Sequence, residues 1–460
     1  MTLKVEFNIV TYQTKTIIKE RGNTMAHEKC SNINNNNEFT DLHKPLNLQQ
    51  AIAESTRCLY CYDAPCIQAC PTSIDIPTFI HQIRSDNTTG AAKTILSQNI
   101  MGGTCARVCP TEVLCEEVCV LNTSIEQPVE IGLLQRHAVD ALIEKSTKHP
   151  FEREQNTGKT IAIVGAGPAG LSCAHRLSML GNDVTIYESK PKSGGLNEYG
   201  LAAYKMIDNW AQREVDFLLD IGGITVKHNQ TINDLTAINQ NHDAVFIGVG
   251  LTKTYSLGLD NENSKGVLDA VDFIETLRQA EHKSQVKVGN DVIVIGAGNT
   301  AIDAAVQSKR LGAENVTLVY RRGEQYMSAT PYEINLAREN GVVIKLWSAP
   351  IKIKGKKKVK SMKFAKTGMV NGKFKLTKAT YKIKTDMVLK AIGQQLDTTH
   401  LGELSTKGGK IIINDQYQTS QSGIFAGGDA IKSGEDLTVQ AVEDGKQAAH
   451  AIHRFLGGNS

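Results

Sequence analysis

Thr160-Ile-Ala-Ile-Val-Gly-Ala-Gly-Pro-Ala-Gly170 and Asp291-Val-Ile-Val-Ile-Gly-Ala-Gly-Asn-Thr-Ala301 carry the same pattern twice in a chain of 460 residues. Each is a short β-branched run entering a glycine-rich turn and then a helical pattern. A second strand follows each, over Val184–Tyr187 and Val316–Tyr320. These are two βαβ units. In the first, Gly165 permits the tight turn and Gly167 lets backbone N–H groups approach a pyrophosphate. Gly170 lets the helix pack close to the strand. Ala166, Pro168 and Ala169 complete that loop. Glu188 ends the next strand, where an acid would bind ribose hydroxyls.

The second turn runs Gly296-Ala297-Gly298-Asn299-Thr300-Ala301, with alanine at the third glycine position. Its second strand ends in Tyr320-Arg321-Arg322. Arg321 and Arg322 suit a 2′-phosphate and hence NADP, because NAD binders usually carry an acid there. The alternative is a solvated arginine pair.

Outward from these units, composition narrows the class. Lys and Arg total 51 against 48 Asp and Glu, a net of +3, which lacks the basic field of a nucleic-acid binder. No stretch approaches the roughly 18 apolar residues of a membrane span. The N-terminus lacks the apolar run and cleavage site of a signal peptide. A cytoplasmic location is expected. Residues 1–44, with an Asn run, read as disordered or irregular, and Met25 is an alternative start. Residues 45–150 read as a helical domain, with patterns over Ile74–Arg84, Ala91–Gln98 and Ile131–Ser146. Alternating Lys and apolar residues between 350 and 390 read as hairpins. Lys352–Lys363 reads as a lysine-protected hairpin edge, with a docking face for an acidic partner as the alternative.

Eight of the ten cysteines lie between Cys58 and Cys119. Cys58-x2-Cys61-x4-Cys66-x3-Cys70-Pro71 is followed by Cys105-x3-Cys109-Pro110-x4-Cys115-x3-Cys119. Runs ending in Cys-Pro favour iron–sulfur ligation, in which the fourth cysteine of a run serves the other cluster. Zinc is the alternative. Cys173, inside the first βαβ helix, reads as a small core residue. With no cysteine pair beyond it, a dithiol reductase activity is excluded by counting.

Three further segments carry a resemblance. Gly194-Gly195-Leu196, Ala391-Ile-Gly393, and Gly427-Gly428-Asp429 followed by Thr438-Val439-Gln440 resemble the two-dinucleotide flavoproteins. That resemblance implies FAD on the first βαβ unit and NAD or NADP on the inserted second one. Asp429 would contact the ribityl–phosphate region, and Thr438, Val439 and Gln440 would face the flavin. Lys205 stands where the group often has an FAD-contacting arginine.

The cysteine spacing resembles the N-terminal domain shared by dihydropyrimidine dehydrogenase and the small subunit of bacterial glutamate synthase, over roughly residues 45–455. It implies two [4Fe–4S] clusters. Cys58, Cys61, Cys66 and Cys119 would hold the first, and Cys70, Cys109, Cys115 and Gln135 the second. A helix-surface role is the alternative for Gln135, and Cys105 is left as a buried thiol. Where the mammalian-type enzyme has a further arginine on the 2′-phosphate, this chain has Ser328, which weakens the case for NADP.

The implied architecture is α/β. A helical [4Fe–4S] domain precedes an FAD domain split over 157–286 and 386–460, with an NAD(P) domain inserted at 287–385. The Cys66–Ile80 segment looks more like the pyrimidine enzyme. The chain therefore resembles the separate electron-input subunit of a bacterial two-subunit dihydropyrimidine dehydrogenase, whose FMN-containing partner carries the substrate site. No catalytic side chain is expected, because hydride passes directly between nicotinamide and flavin. A glutamate-synthase-type subunit is the second reading. A non-catalytic cluster protein is the third, disfavoured by two intact fingerprints.

Overall fold

The computed structural model describes residues 39–458, apart from 126, 146–147, 371–372, 400 and 433–434. The first part is a helical domain. Its helices Leu48–Ser55, Ile76–Arg84, Thr88–Gln98, Gly102–Val108 and Ile131–Lys145 pack through Phe79, Ile80, Ile83, Ile95, Leu134 and Val139. Local chemistry fixes where these helices begin. Asn47 and Gln50 form a capping box ahead of Leu48, and the Asp75 and Asn87 side chains cap the next two helices.

The FAD-type fold is a five-stranded parallel sheet in the order Ile424–Ala426, Ala244–Ile247, Thr160–Val164, Asp183–Tyr187, Ile224–Lys227. Ala244–Ile247 is buried at every position, as expected for a strand covered on both faces. Helix Pro168–Met179 and the last helix, Thr438–Phe455, pack against each other beside this sheet.

A second parallel sheet has the order Val267–Asp269, Met387–Ala391, Asp291–Gly296, Asn315–Val319, Val343–Lys345. This widens the insertion expected at 287–385. Strands Val267–Asp269 and Met387–Ala391 both belong to the inserted sheet, and helix Ala270–Gln279 shares its core. The crossing between the two folds is a two-stranded ribbon, Lys253–Thr254 against Gln394–Gln395. The lysine-rich segment is a three-stranded antiparallel sheet, Ser348–Lys354, Ser361–Val370 and Lys373–Lys384. Its Ile353, Met362 and Phe364 bury against Ile293, Ile295 and Val319 of the inserted sheet.

The irregular segment expected over residues 1–44 needs one correction; its first 38 residues lie outside the described ones. Residues 39–44 are anchored. Phe39 is buried with Ala202 and Tyr204, the Leu42 N–H donates to the Tyr204 carbonyl at 2.9 Å, and Asp41 pairs with Arg136. Apolar side chains there find a pocket that composition alone does not reveal. No described helix is long and apolar enough to cross a membrane.

Candidate functional site

The first glycine loop has the geometry that a pyrophosphate needs. A Cβ on Gly170 would lie 2.0 Å from the Gly165 carbonyl oxygen, so only glycine lets helix Pro168–Met179 pack this close to its strand. Gly165 has φ +100°, and its carbon faces the backbone of Gly248. Gly167 begins the helix with no side-chain cap, and Pro168 occupies its first turn. The first-turn N–H groups are thus left for an anion. Gly195, at φ +54°, closes the loop from the other side; a Cβ there would lie 2.7 Å from Gly167 Cα. Buried Glu188 accepts from the N–H groups of Ala166 and Lys190, each at 2.8 Å, which fixes its carboxylate at the strand end.

The last helix reaches the same place. Thr438 is its first residue, there is no side-chain cap, and the Thr438 hydroxyl donates to Asn197 Oδ1 at 3.1 Å. Asn197 directly follows Leu196 and is buried. Its Nδ2 has no hydrogen-bond partner among the described residues. A buried donor without a partner costs stability unless a ligand meets it. It therefore fits a bound group beside the Gly195 loop. Asn197 carries no motif signal and was not among the expected residues. Gln440 turns back on its own helix to Asp444 at 2.9 Å, and Val439 is buried. Ala169 lies under Gly428, and burial, with Asp436 nearby, pushes Asp429 up to about 7.

Lys205, expected at the flavin, reaches across to the inserted domain. Its buried ammonium pairs with Asp303 at 2.8 Å and Glu333 at 2.6 Å, both in the inserted domain. These two carboxylates engage its charge, so it ties the two nucleotide folds together.

At the second loop, Gly296 comes so close to Ala391 that a Cβ would lie 2.0 Å from its carbonyl oxygen. Gly298 starts helix Asn299–Arg310 without a side-chain cap, and Asn299 Oδ1 is buried with no partner among the described residues. Ala297 accepts from the Ala329 N–H at 3.0 Å, and Thr300 lies in the first helical turn. Gly393, at φ +100°, turns the chain into the crossing ribbon. Arg321 is exposed over the Phe374 ring at 5.8 Å. No acidic side chain among the described residues pairs with it or with Arg322.

The cysteines separate into two groups. Cys58, Cys61, Cys66 and Cys119 line one pocket with Ile76, Ile80, Val129 and Ile131. Burial, then the neighbouring Cys58 and Cys119, pushes the Cys66 thiol up to about 11. Cys109 contacts Cys105 and is held up by that contact, by burial, and by Cys115 and Cys70. Burial, adjacent Glu116 and Cys70 raise Cys115 in the same direction. Crowded thiols of this kind stay protonated at neutral pH unless a cationic group takes them as thiolates. Among the described residues no three His, Cys, Asp or Glu are gathered as a single metal ion requires. Thiols spread around an apolar pocket fit a larger iron–sulfur cluster. Gln135 is buried, and its Nε2 donates to the Gly102 carbonyl at 2.7 Å, leaving its oxygen as the atom a metal would take. Cys105 is buried against Cys109.

Two buried side chains that carry no motif lock the helical domain to the flavin fold. Lys446, on the last helix, donates to the carbonyls of Thr72 and Gln98 at 3.3 and 3.1 Å. Thr72 in turn contacts Cys70 at 3.3 Å. Glu214 accepts from the Thr104 N–H at 2.9 Å, while Arg107 stacks 3.6 Å over the Trp210 ring. The second cysteine group therefore lies against the flavin fold.

Two interleaved dinucleotide folds behind a cysteine-rich helical domain define an NAD(P)-dependent flavoprotein oxidoreductase with an iron–sulfur domain. Residues 34–147 match the family described as dihydropyrimidine dehydrogenase domain II, 4Fe-4S cluster, and residues 159–445 match pyridine nucleotide-disulphide oxidoreductase. The NAD-dependent dihydropyrimidine dehydrogenase subunit PreT of Escherichia coli (strain K12) is 34% identical over 89% of this chain and 95% of its own length. The glutamate synthase [NADPH] small chain of the same organism is 32% identical over 91% and 94%. In fold, residues resemble Mycobacterium tuberculosis FprA in complex with NADPH, with TM-score 0.55 and 20% identity over 65% of this chain and 85% of that one. The chain belongs to the pyridine nucleotide-disulphide oxidoreductase family, in the branch that joins this 4Fe-4S domain to paired nucleotide folds. The dithiol chemistry in that family name has no counterpart here, since Cys173 is the one cysteine between residues 159 and 445 and is fully buried.

Proposed function

We propose that this chain is the electron-input subunit of a cytoplasmic dihydropyrimidine dehydrogenase. It carries FAD and two [4Fe–4S] clusters, and its partner holds FMN and the pyrimidine site. Bound FAD would supply the conversion between two-electron hydride chemistry with NAD(P)H and one-electron transfer to the clusters.

The chain's own residues orient and insulate that transfer. The Gly165–Gly170 loop and Gly195 would hold the FAD pyrophosphate against uncapped N–H groups. Glu188 would meet the ribose. Asn197, held by Thr438, offers its free Nδ2 to the bound group where the last helix begins. The Gly296–Thr300 loop would hold the nicotinamide nucleotide. Cys58, Cys61, Cys66 and Cys119 would ligate one cluster, and Cys70, Cys109, Cys115 and Gln135 the other.

The observation that carries this reading is the Lys446 contact. One helix begins at the flavin side and, two turns later, reaches the Thr72 carbonyl beside Cys70. A flavin held at the helix start and a cluster held by Cys70 would be joined by about 12 Å of this one helix. The 32% identity to a glutamate synthase small chain supports a second reading, delivery of the same electrons to a glutamate-forming partner.

The test uses the purified full chain under anaerobic conditions. Alone it should oxidise NAD(P)H with ferricyanide. It should interconvert dihydrouracil and uracil only after an FMN-bearing subunit is added. Turnover of dihydrouracil with NAD⁺ by the isolated chain would overturn the division of labour. Coupling to a glutaminase-bearing subunit alone would select the second reading.

A further inference from the structure

The two cysteine groups do not have equivalent surroundings. The second is enclosed by the flavin fold: Thr104 meets Glu214, Thr72 meets Lys446, and Gly103 is so close to Trp210 that a Cβ would lie 2.3 Å from its ring. The first opens outward. Leu59 and Val120 line its pocket while remaining 57% and 40% exposed, and Tyr62, next to Cys61, is fully exposed. Val118, next to Cys119, is also exposed. Leu59 and Val120 in the lining, with Tyr62 and Val118 next in sequence to its cysteines, leave large apolar side chains exposed that a surface normally hides.

The charge around this mouth is predominantly acidic; its neighbouring cation, Arg57, is paired with Glu54 and bonded to the Gln127 and Pro128 carbonyls. Segments 58–83 and 108–135 contain only acidic charge, with no lysine or arginine, although the whole chain has a net charge of +3. Asp63 and Glu117 are the exposed acids beside Tyr62 and Val118. Thiolate-bound iron–sulfur groups behind them would deepen the negative field.

We propose that electrons leave through this face. Its occupant is a one-electron acceptor protein with an apolar centre and a lysine- or arginine-rich rim, seated over Tyr62 and Val118. The acidic rim steers that partner, and the apolar mouth brings its acceptor near Cys61 and Cys119. The proposal rests on the electron-input reading and adds to it where the partner sits. For each NAD(P)H oxidised, two electrons leave singly, one proton is released, and two one-electron centres on the partner are reduced.

The test compares the wild type with Tyr62→Ser/Val118→Ser and with Asp63→Lys/Glu117→Lys, as anaerobically loaded full chains. Horse-heart cytochrome c serves as a basic one-electron acceptor, ferricyanide as a small one, and a co-expressed FMN-bearing pyrimidine subunit as the physiological one. Iron content and ferricyanide turnover should match the wild type in both variants, which establishes that they fold and load. Reduction of cytochrome c should fall at least about tenfold in the charge-reversed variant, and its steep decline with added salt should flatten. Coupling to the pyrimidine subunit should fall about tenfold or more in both variants. Wild-type rates with both protein acceptors in both variants would overturn the exit face. If the variants lose cytochrome c reduction but even the wild type never couples to the pyrimidine subunit, the exit face stands and the pyrimidine reading fails.

Discussion

Glu214, in the flavin fold, accepts a 2.9 Å hydrogen bond from the backbone N–H of Thr104, in the helical domain. The carboxylate is completely buried between the two. Burial pushes it from the ordinary 4.5 up to about 7, against the opposing pull of the Thr104 hydrogen bonds and of Arg107.

A pH dependence follows from that shift. Between about pH 4.5 and 7 the native state holds a proton on Glu214 that the unfolded chain has released. Stability therefore falls as pH rises through this window and is insensitive to Glu214 above it. The slope from one such group is at most about 1.4 kcal/mol per pH unit. Glu214→Gln keeps an acceptor for Thr104 but cannot ionise. The wild type minus variant difference in denaturation midpoint should change across pH 5–7 and be flat from 7.5 to 9. A constant difference would mean that Glu214 does not titrate there.

The nucleotide folds are legible in the sequence because their cause is local. A β-branched strand, a turn only glycine can make and a close-packed helix occupy eleven consecutive residues, and Gly170 against Gly165 is the contact the spacing implies. The first cysteine group is nearly as legible, because three of its four members are close in sequence and all four line one pocket. What the sequence hides is whatever depends on distant partners. Lys205 meets Asp303 and Glu333 only after an intervening fold is built. Val267–Asp269 is too short to show a periodicity, so the sequence pattern places the start of the insertion at 287, later than the structure does. Asn197 is set apart only by the amide that folding leaves without a partner.

Flavin retention should depend on Gly195 far more than on an ordinary turn glycine. In Gly195→Ala the residue keeps a left-handed φ and its Cβ meets the Gly167 backbone at 2.7 Å, where no side chain can swing away. Gly222 also has a left-handed φ, +79°, but nothing lies within 4 Å of its Cβ position. Gly222→Ala should cost roughly 1 kcal/mol of stability and keep its flavin. Gly195→Ala should purify with several-fold less flavin per chain, read from absorbance after denaturation. Equal flavin content in the two variants would refute the close-approach role.

The cysteine groups predict unequal consequences for one chemical change. Cys66→Ser and Cys70→Ser remove ligands from different groups, so each should lower iron from about eight to about four per chain. Cys105→Ala should leave iron near the wild-type level, since that thiol only packs against Cys109. Cys70→Ser should also keep NAD(P)H oxidation by ferricyanide, because the nucleotide loops lie in other domains. Stoichiometric zinc in the wild-type chain, without labile sulfide, would remove the basis for all three.

Nicotinamide choice should be set by Arg321 and Arg322. They follow strand Asn315–Val319, and no acid among the described residues pairs with either, so both guanidinium groups are available to a 2′-phosphate. Ser328 places its hydroxyl 3.2 Å from the Cβ position of Gly298, so the second loop has an uncharged neighbour where a cation would add to phosphate binding. Arg321→Ala/Arg322→Ala removes charge-assisted hydrogen bonds worth about 1.5–3 kcal/mol each, and only NADPH has the phosphate to lose them. KM for NADPH should rise at least about tenfold with kcat little changed, while KM for NADH moves less than about threefold. Ser328→Arg should act in the opposite sense and lower KM for NADPH alone. Parallel shifts for both nucleotides in the double variant would show that these arginines serve the fold or the shared pyrophosphate, and that discrimination lies elsewhere in the inserted domain.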